Sequence, residues 1–489
     1  MKRIIITLVA LFISADILCS ETIIVNWNGT GDYTTIQDGI AAANDGDIVL
    51  VYPGTYVENI NFNGKNITVA SKYVLTGNDI YINTTIIDGN TTGNIVSFNN
   101  DENSDAILNG LTIQNGEMGI YCHKTSPTLE NLIVKDNYGF SLGTGLYFRR
   151  SNSVLTNLLI TNNIGISDPG VGWLHMGGGM HIWDNSNLIL TNIEISHNSS
   201  YSGGGVYLQD CTVRFTNTLI FENTATYGAG LALVRCADLQ IINSTITDNH
   251  GGLGAGILCV DNSHPELINT ILWNNIPHEV VFFSSEKPNS ISLPYCDIRD
   301  GLAGIFPQNN GTIIWGFGNI NEDPLFVGGD TFSYELSEGS PCIDAGTPDT
   351  TGLNLPATDL AGNQSIYNGR IDIGAYEYQG YGIDEPDTSF INNLYLFNNS
   401  PNPFKESTTI SFISADYERI KEYTISIYNT KGQLVRRYEG LKDDFWVRTE
   451  IVWDGTDEQG RQVSQGTYFY KLEYNGHAVV RKMVKLTSS

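Results

Sequence analysis

Basic residues are scarce in this 489-residue chain: 26 Lys and Arg stand against 53 Asp and Glu, a net charge of -27. The deficit is local. Residues 394–489 hold 13 basic and 12 acidic side chains, whereas residues 1–393 hold 13 and 41. A body this acidic repels phosphate backbones, which excludes nucleic acid as a partner. It suits a protein that must stay soluble outside the cell, and equally one that meets divalent cations. Cysteine is sparse as well. Beyond Cys19 there are Cys122, Cys211, Cys236, Cys259, Cys296 and Cys342, too few to staple so long a chain. Long apolar runs are absent past the start. "MKRIIITLVALFI" pairs two basic residues with an apolar stretch at 4–13 that is too short to span a bilayer. Residues 1–20 therefore read as a secretory signal peptide. Also missing are long 3.6-residue apolar periodicities, Cys/His metal motifs, a Gly-x-Ser-x-Gly elbow and a phosphate loop. The glycine triplets at 177–179 and 203–205 precede no helix, so they are corners and not nucleotide loops.

What is present is a repeat. "FTNTLIFENTATYGAG" at 215–230 shares its layout with "IINSTITDNHGGLGAG" at 241–256. The third-position Asn recurs as Asn131, Asn157, Asn192, Asn217, Asn243 and Asn269, spaced 26, 35, 25, 26 and 26 residues apart. The ninth-position Asn follows the same spacing as Asn137, Asn163, Asn198, Asn223, Asn249 and Asn275, and a glycine column runs Gly145, Gly179, Gly205, Gly230, Gly256. Between the markers lie short runs such as "NLLIT" and "GVYLQ" that alternate with period two, the mark of strands. Three short strands and their turns in about 25 residues make one turn of a parallel β-helix, an all-β solenoid. Asn adopts the left-handed backbone of a corner, and its amide can pair with the same amide one turn away. Glycine at Gly-x-Gly supplies positive φ at another corner. Aligned on the glycines, Leu146, Met180, Val206, Leu231, Ile257 and Phe148, Ile182, Leu208, Leu233, Cys259 form two core columns. Cys211 and Cys236 share a column in adjacent turns, as a disulfide or an unbonded stack. With irregular turns added, the coil covers 21–325, roughly a dozen turns and on the order of 55 Å. "TTIQDGIAAAND" at 34–45 predicts a short helix that covers the first turn with Ile36, Ile40 and its alanines inward.

Three segments resemble known families. "GDYTTIQDGIAAANDGDIVLVYPGTYVENINF" at 31–62 resembles the first coil of the pectin-lyase-like superfamily, pectinesterases included. The resemblance implies the start of a β-helix; further pectinesterase motifs, and the ordered Asp and His motifs of polygalacturonases, are absent downstream. "EDPLF", "GSPCIDAG", "TDLAGN" and "GRIDIGAYEY", within 322–378, resemble the domain that follows β-helices in bacterial surface proteins of variable anchoring, here a cap region over 326–379. Its Asp344, Asp359 and Asp372 fit calcium, or turns held by their own backbone hydrogen bonds. After a polar linker at 380–393, residues 394–489 resemble the C-terminal sorting domain of type IX secretion cargo. Pro401-Asn402-Pro403-Phe404, Gly432-Gln433-Leu434-Val435, Trp453-Asp454-Gly455 and Lys482-Met483 stand in family order. Their strand and turn pattern alone reads as a small antiparallel β-sandwich. The resemblance implies export across the outer membrane of a Bacteroidetes-type bacterium, with the secretion machinery as a partner.

Chemistry is expected where one turn is long. The 35-residue spacing makes room for "GISDPGVGWLHM" at 165–176, and solenoid insertions often build the binding face. It carries Trp173 and His175. Beside it, outward columns read Tyr147, His181, Tyr207 and Arg149, Trp183, Gln209, a set of rings and hydrogen-bonding groups suited to sugars. The next column reads Arg150, Asp184, Asp210, Arg235, Asp261. Asp184 and Asp210 would be stacked like charges, which raise a pKa or capture a cation such as calcium. A polysaccharide lyase would use them with Arg150 or Arg235 as the basic residue; a self-neutralising surface ladder needs no substrate. The expectation is an exported, cell-surface or secreted protein that binds a polysaccharide or surface glycan without catalysis. A lyase or glycosidase acting on acidic polysaccharide, and a purely structural surface element, are the alternatives.

Overall fold

The computed structural model describes residues 20–140, 142–167, 175–283, 287–308, 311–328 and 334–379 of the body. Towards the C-terminus it describes 390–391, 394–396, 399, 402, 404–414, 421–442, 449–474 and 477–486. The segment 1–19, read as a signal peptide, lies outside these residues. The chain forms two compact units, 1–380 and 381–489.

The first unit is a parallel β-solenoid of about 11 turns. Its strands form three ladders: sheet A with 18 strands, sheet B with 10 and sheet C with 5. A representative turn passes from Leu146–Arg149 in sheet B, through Val154–Thr161 in sheet A, to Ile164–Gly165 in sheet C. Successive turns pair in register. Leu146 faces Met180, which faces Val206, Leu231 and Ile257 in turn, and Phe148 heads the column Ile182, Leu208, Leu233, Cys259. Both expected core columns are fully buried. Across the 35-residue turn, Thr156 still pairs with Thr191.

The two asparagine columns do different work. The third-position residues take left-handed backbone themselves, with φ from 46 to 58° at Asn131, Asn157, Asn192, Asn217, Asn243 and Asn269. Their amides donate along the outside from Asn217 through Asn192 and Asn157 to Asn131, and from Asn269 to Asn243. In the ninth-position column the left-handed residue is the one before the Asn: Asp136, Asn162, His197, Glu222, Asp248, Asn274. That frees the Asn side chain to turn inward. Asn163, Asn198, Asn223 and Asn249 are completely buried, and each Nδ2 donates to the next amide at 2.9–3.0 Å. Asn275 ends the ladder on the Glu279 carboxylate. The glycine column reflects space and not backbone conformation. A Cβ on Gly205 would sit 2.7 Å from the Gly230 carbonyl oxygen and 3.2 Å from the Asn223 amide. Positive φ falls two residues earlier, at Gly143, Gly177, Gly203, Gly228 and Gly254.

The helix Ile36–Ala42 covers the first turn, with Ile36 and Ile40 buried as expected; of the alanines only Ala43 faces inward. The next turn holds both of its ends. Glu58 accepts from Ile36 N and Gln37 N at 2.8 and 2.9 Å, and Lys65 Nζ donates to the carbonyls of Ile40, Ala41 and Ala43. These side chains supply the partners that a short helix lacks at its termini. At the other end, the segment expected to cap the coil runs back along the outer face of sheet A. Ala375 N donates to Thr245 Oγ1, Gly374 N to Asn269 O and Thr347 N to Asn269 Oδ1, while Asn217 Nδ2 donates to Thr358 O. Leu336, Cys342 and Ile373 pack on Ile271, and Tyr334 packs on Leu219 and Phe221. On the last turn Phe317 is 87% and Phe306 47% exposed.

Two of the three aspartates singled out in this segment, Asp359 and Asp372, pin turns. Asp372 accepts from Asp344 N and Tyr378 N at 2.6 Å, and Asp359 accepts from Asn363 N and Glu377 N at 2.7 and 2.8 Å. Burial pushes Asp372 to about 6 and Glu377 to about 8, as it pushes Asp297 to about 6 and Glu279 to about 7. Folded values above unfolded ones mean stability that is complete at low pH and lost as pH rises through about 6–8. The melting temperature of the body is therefore expected to be higher at pH 5 than at pH 8.5 by calorimetry. Glu279→Gln should flatten the part of that slope between about pH 4.5 and 7. A melting temperature that climbs with pH would contradict this.

The second unit is antiparallel, with two four-stranded sheets. Its core centres on Trp453, Tyr470, Phe404 and Phe412. The Asn402 side chain accepts from Val484 N at 2.9 Å, and Phe404 exchanges backbone bonds with Val484 and Leu486. Asn402 and Phe404 thus pair with the end of the strand His477–Lys485 that carries Lys482 and Met483.

Candidate functional site

The long turn places its neighbours on the outer side of sheet B. Met180–Trp183 lies between Leu146–Arg149 and Val206–Gln209, so Tyr147, His181 and Tyr207 are aligned, as are Arg149, Trp183 and Gln209. Alignment does not mean exposure. His181 is 2% exposed, wedged edge-on between Tyr147 and Tyr207 at 5.6 and 5.0 Å. Burial, then His175, push its pKa down to about 3, tempered only by the Met176 backbone. His181 is neutral at any pH near 7. His175 is equally buried, its Nε2 3.2 Å from Thr144 Oγ1, and the ring occupies the space that a Cβ on Gly165 would need. Of the residues expected to face outward for sugar binding, Tyr147, His175, His181 and Tyr207 are therefore buried by their own packing. Trp173 lies outside the described residues.

What reaches the surface is a ledge. Trp183 is half-buried and donates from Nε1 to Tyr147 Oη at 2.7 Å. The Arg149 guanidinium lies over the indole, 4.4 Å from the ring centre. Tyr121 stacks on Tyr147 with centroids 5.2 Å apart, and its hydroxyl meets His123 Nδ1 at 3.1 Å. Tyr121 and His123 belong to the strand Met118–His123, one turn before the column read from sequence. Gly119, 26 residues ahead of Gly145 and just as crowded by Gly145 O, was the signal that marks this turn. Gln209 accepts from Tyr207 Oη and donates to Asp210, tying the ledge to the charged column.

That column, Arg150, Asp184, Asp210, Arg235, Asp261, sits at a corner where every residue has φ between 49 and 57°. Asp184 is bound by Arg149 at 2.8 Å and Arg150 at 3.0 Å. Asp210 takes both Nε and Nη2 of Arg235, at 2.7 and 2.6 Å, while Arg235 Nη1 lies 3.8 Å from Asp261. The hydrogen bond from Arg149 holds the Asp184 carboxyl below the usual carboxylate range, and that from Arg235 does the same for Asp210. The expected upward shift from two stacked like charges does not occur, because an arginine reaches each carboxylate first. Such a pair is neither a general acid near neutral pH nor a bare cation trap. Among the described residues, no three His, Cys, Asp or Glu gather as a metal site would.

Residues 94–276 and 178–316 match the right handed beta helix region family, and residues 398–485 match the CHU_C type IX secretion signal domain. No protein with a curated description matches. Among solved structures, dimeric latent PorU from Porphyromonas gingivalis is 24% identical over 20% of this chain, with TM-score 0.18. The match spans only 10% of that protein's length. A pectin methylesterase in complex with hexasaccharide VII, and pectin methylesterase PemA from Erwinia chrysanthemi, are each 11% identical over 48% of this chain and 79% of theirs, with TM-score 0.32. Likenesses this distant carry no residue role across. The body is thus a right-handed parallel β-helix, and the chain ends in a type IX secretion signal domain. That signal implies engagement with the secretion machinery and export to the cell surface or the medium.

Proposed function

We propose that the exported β-helix binds a glycan at the Tyr121–Trp183–Arg149 ledge, backed by the buried Tyr147, and does not cleave it. The observation that carries this reading is the pairing of charge. Asp184 and Asp210 are each spent on arginine, so neither carboxylate is a general acid near neutral pH, and the ledge offers rings and fixed hydrogen-bonding groups. Trp183 is held by Tyr147 and Arg149 before any ligand arrives, which lowers the entropy lost on binding. Sugars suit such a surface because they present apolar ring faces and hydroxyls together. Adhesion to a polysaccharide or host glycan is the corresponding role.

The test uses the secreted protein with a panel of plant, algal and host polysaccharides in calcium-containing buffer, recording binding, unsaturated sugar and new reducing ends together. Binding without product is expected. Trp183→Ala should weaken it by about 2 kcal/mol, roughly 30-fold, as loss of a central aromatic anchor does. Product release that disappears in Asp210→Asn would replace this reading with an enzymatic one.

A further inference from the structure

The outer face of sheet A carries a second feature, a cavity of about 440 Å³ on a different ladder from the ledge. Its floor is the outward asparagine ladder. Asn192 donates to Asn157 at 3.1 Å and Asn157 to Asn131 at 2.9 Å. Each amide spends one N–H on the ladder, and the second has no partner among the described residues at Asn157. The floor therefore repeats a donor and an acceptor every turn, at ~4.8 Å.

Two excursions from the coil make the walls. On one side the short helices Tyr73–Thr76 and Ile80–Thr84 present Tyr73, Asp79 and Ile82, anchored where Thr112 Oγ1 donates to Ile82 O at 2.8 Å. On the other side the returning segment presents Leu360 and Tyr376. Between them Glu194 lines the floor next to Leu159. Burial holds its carboxyl above the usual range, and its hydrogen bond within the chain is a long one, 3.5 Å from Ser196 Oγ.

The composition selects a ligand. The described lining contains Asp79, Glu194 and Glu335 but no Lys, Arg or His, so uronates, sulfates and phosphates are repelled. The floor strands Thr128–Lys135, Val154–Thr161 and Asn187–Ser196 pair with neighbours on both sides, leaving no strand edge for a peptide to extend. Hydroxyl groups meet every requirement. They donate to the under-satisfied Glu194, they accept from the unpartnered N–H of Asn157, and sugar ring faces pack on Tyr73, Tyr376 and Leu159. We propose that this cleft binds a short stretch of a neutral, hydroxyl-rich oligosaccharide over the amides of Asn131, Asn157 and Asn192. The site is independent of the sheet B ledge.

The experiment titrates the full secreted chain with cellohexaose, xylohexaose, mannohexaose and laminarihexaose. Hexagalacturonate and a Lys/Arg-rich dodecapeptide serve as counter-probes, and binding is read by calorimetry. At least one neutral hexasaccharide should bind, weakened at least tenfold by Tyr73→Ala and by Glu194→Gln and unchanged by Trp183→Ala. Melting temperatures recorded in parallel establish that the variants are folded, and Asn157→Ala, at an exposed position, supplies a further floor variant. The proposal is overturned if no neutral probe binds at millimolar concentration, or if binding survives all three cleft variants. It is overturned equally if hexagalacturonate or the basic peptide is the ligand that these variants abolish. Loss of binding in Trp183→Ala alone would support the ledge and contradict the cleft, so the two readings fail separately.

Discussion

Asn223→Ala is expected to destabilise the β-helix by about 2–6 kcal/mol. The Asn223 carbonyl oxygen accepts both the backbone N–H and the side-chain Nδ2 of Asn198, each at 3.0 Å. Its own Nδ2 serves Ile195 O, Phe221 O and the next amide in the ladder, Asn249. Truncation leaves two buried donors on Asn198 facing nothing, each costing ~1–3 kcal/mol, and no water reaches a position of 0% exposure. Asn157→Ala sits in the outer ladder, where water replaces the lost bonds, which leaves mainly the cost of Ala in left-handed backbone, about 1 kcal/mol. Urea unfolding of both variants measures the contrast. Equal midpoints would mean that the inward amides are no more important than the outward ones.

Trp453→Ala should disable the C-terminal unit and with it export. The indole is fully buried, with Phe404 and Tyr468 at 5.4 and 5.3 Å, and its Nε1 donates to Thr456 O at 2.9 Å. The next residues form the turn that this bond closes: Asp454 accepts from Thr456 N and Oγ1, and Gly455 has φ 72°. Removing so large a side chain from a core typically costs ~3–5 kcal/mol, a large share of what a domain of this size possesses. The expected result is a folded body that accumulates inside the outer membrane, detected by cell fractionation. Normal export by a variant whose C-terminal unit is unfolded would separate the sorting signal from the fold described here.

Periodicity explains which parts could be read in advance. A residue that recurs every 25–26 positions must meet its own copy in a solenoid, so the core columns, the left-handed third-position asparagines and the stacking of Cys211 on Cys236, their sulfurs 3.8 Å apart and unbonded, were all legible. Contacts without a period were not. The returning segment reaches Asn217 from Thr358 and Thr245 from Ala375, separations of 141 and 130 residues that no repeat announces. The cleft it helps to form was invisible for that reason. Exposure on sheet B was misjudged for a related one. Outward on a strand means solvent only where nothing lies above, and His181 has Tyr147 and Tyr207 packed against it. The acid column was readable in order, yet Arg149 reaches Asp184 from a neighbouring column, and side-chain length rather than spacing decides that contact.

Every site described above depends on successive turns lying in register, including the long one. The direct measurement introduces cysteines at Thr156 and Thr191, half-exposed partners across the 35-residue turn, and oxidises the folded protein mildly. Neighbouring strands bring such Cα atoms to ~4.8 Å, inside the range a disulfide spans. Peptide mapping should find residues 156 and 191 linked in nearly every molecule. Two free thiols there, with the body folded, would contradict the register and remove both proposed binding sites with it.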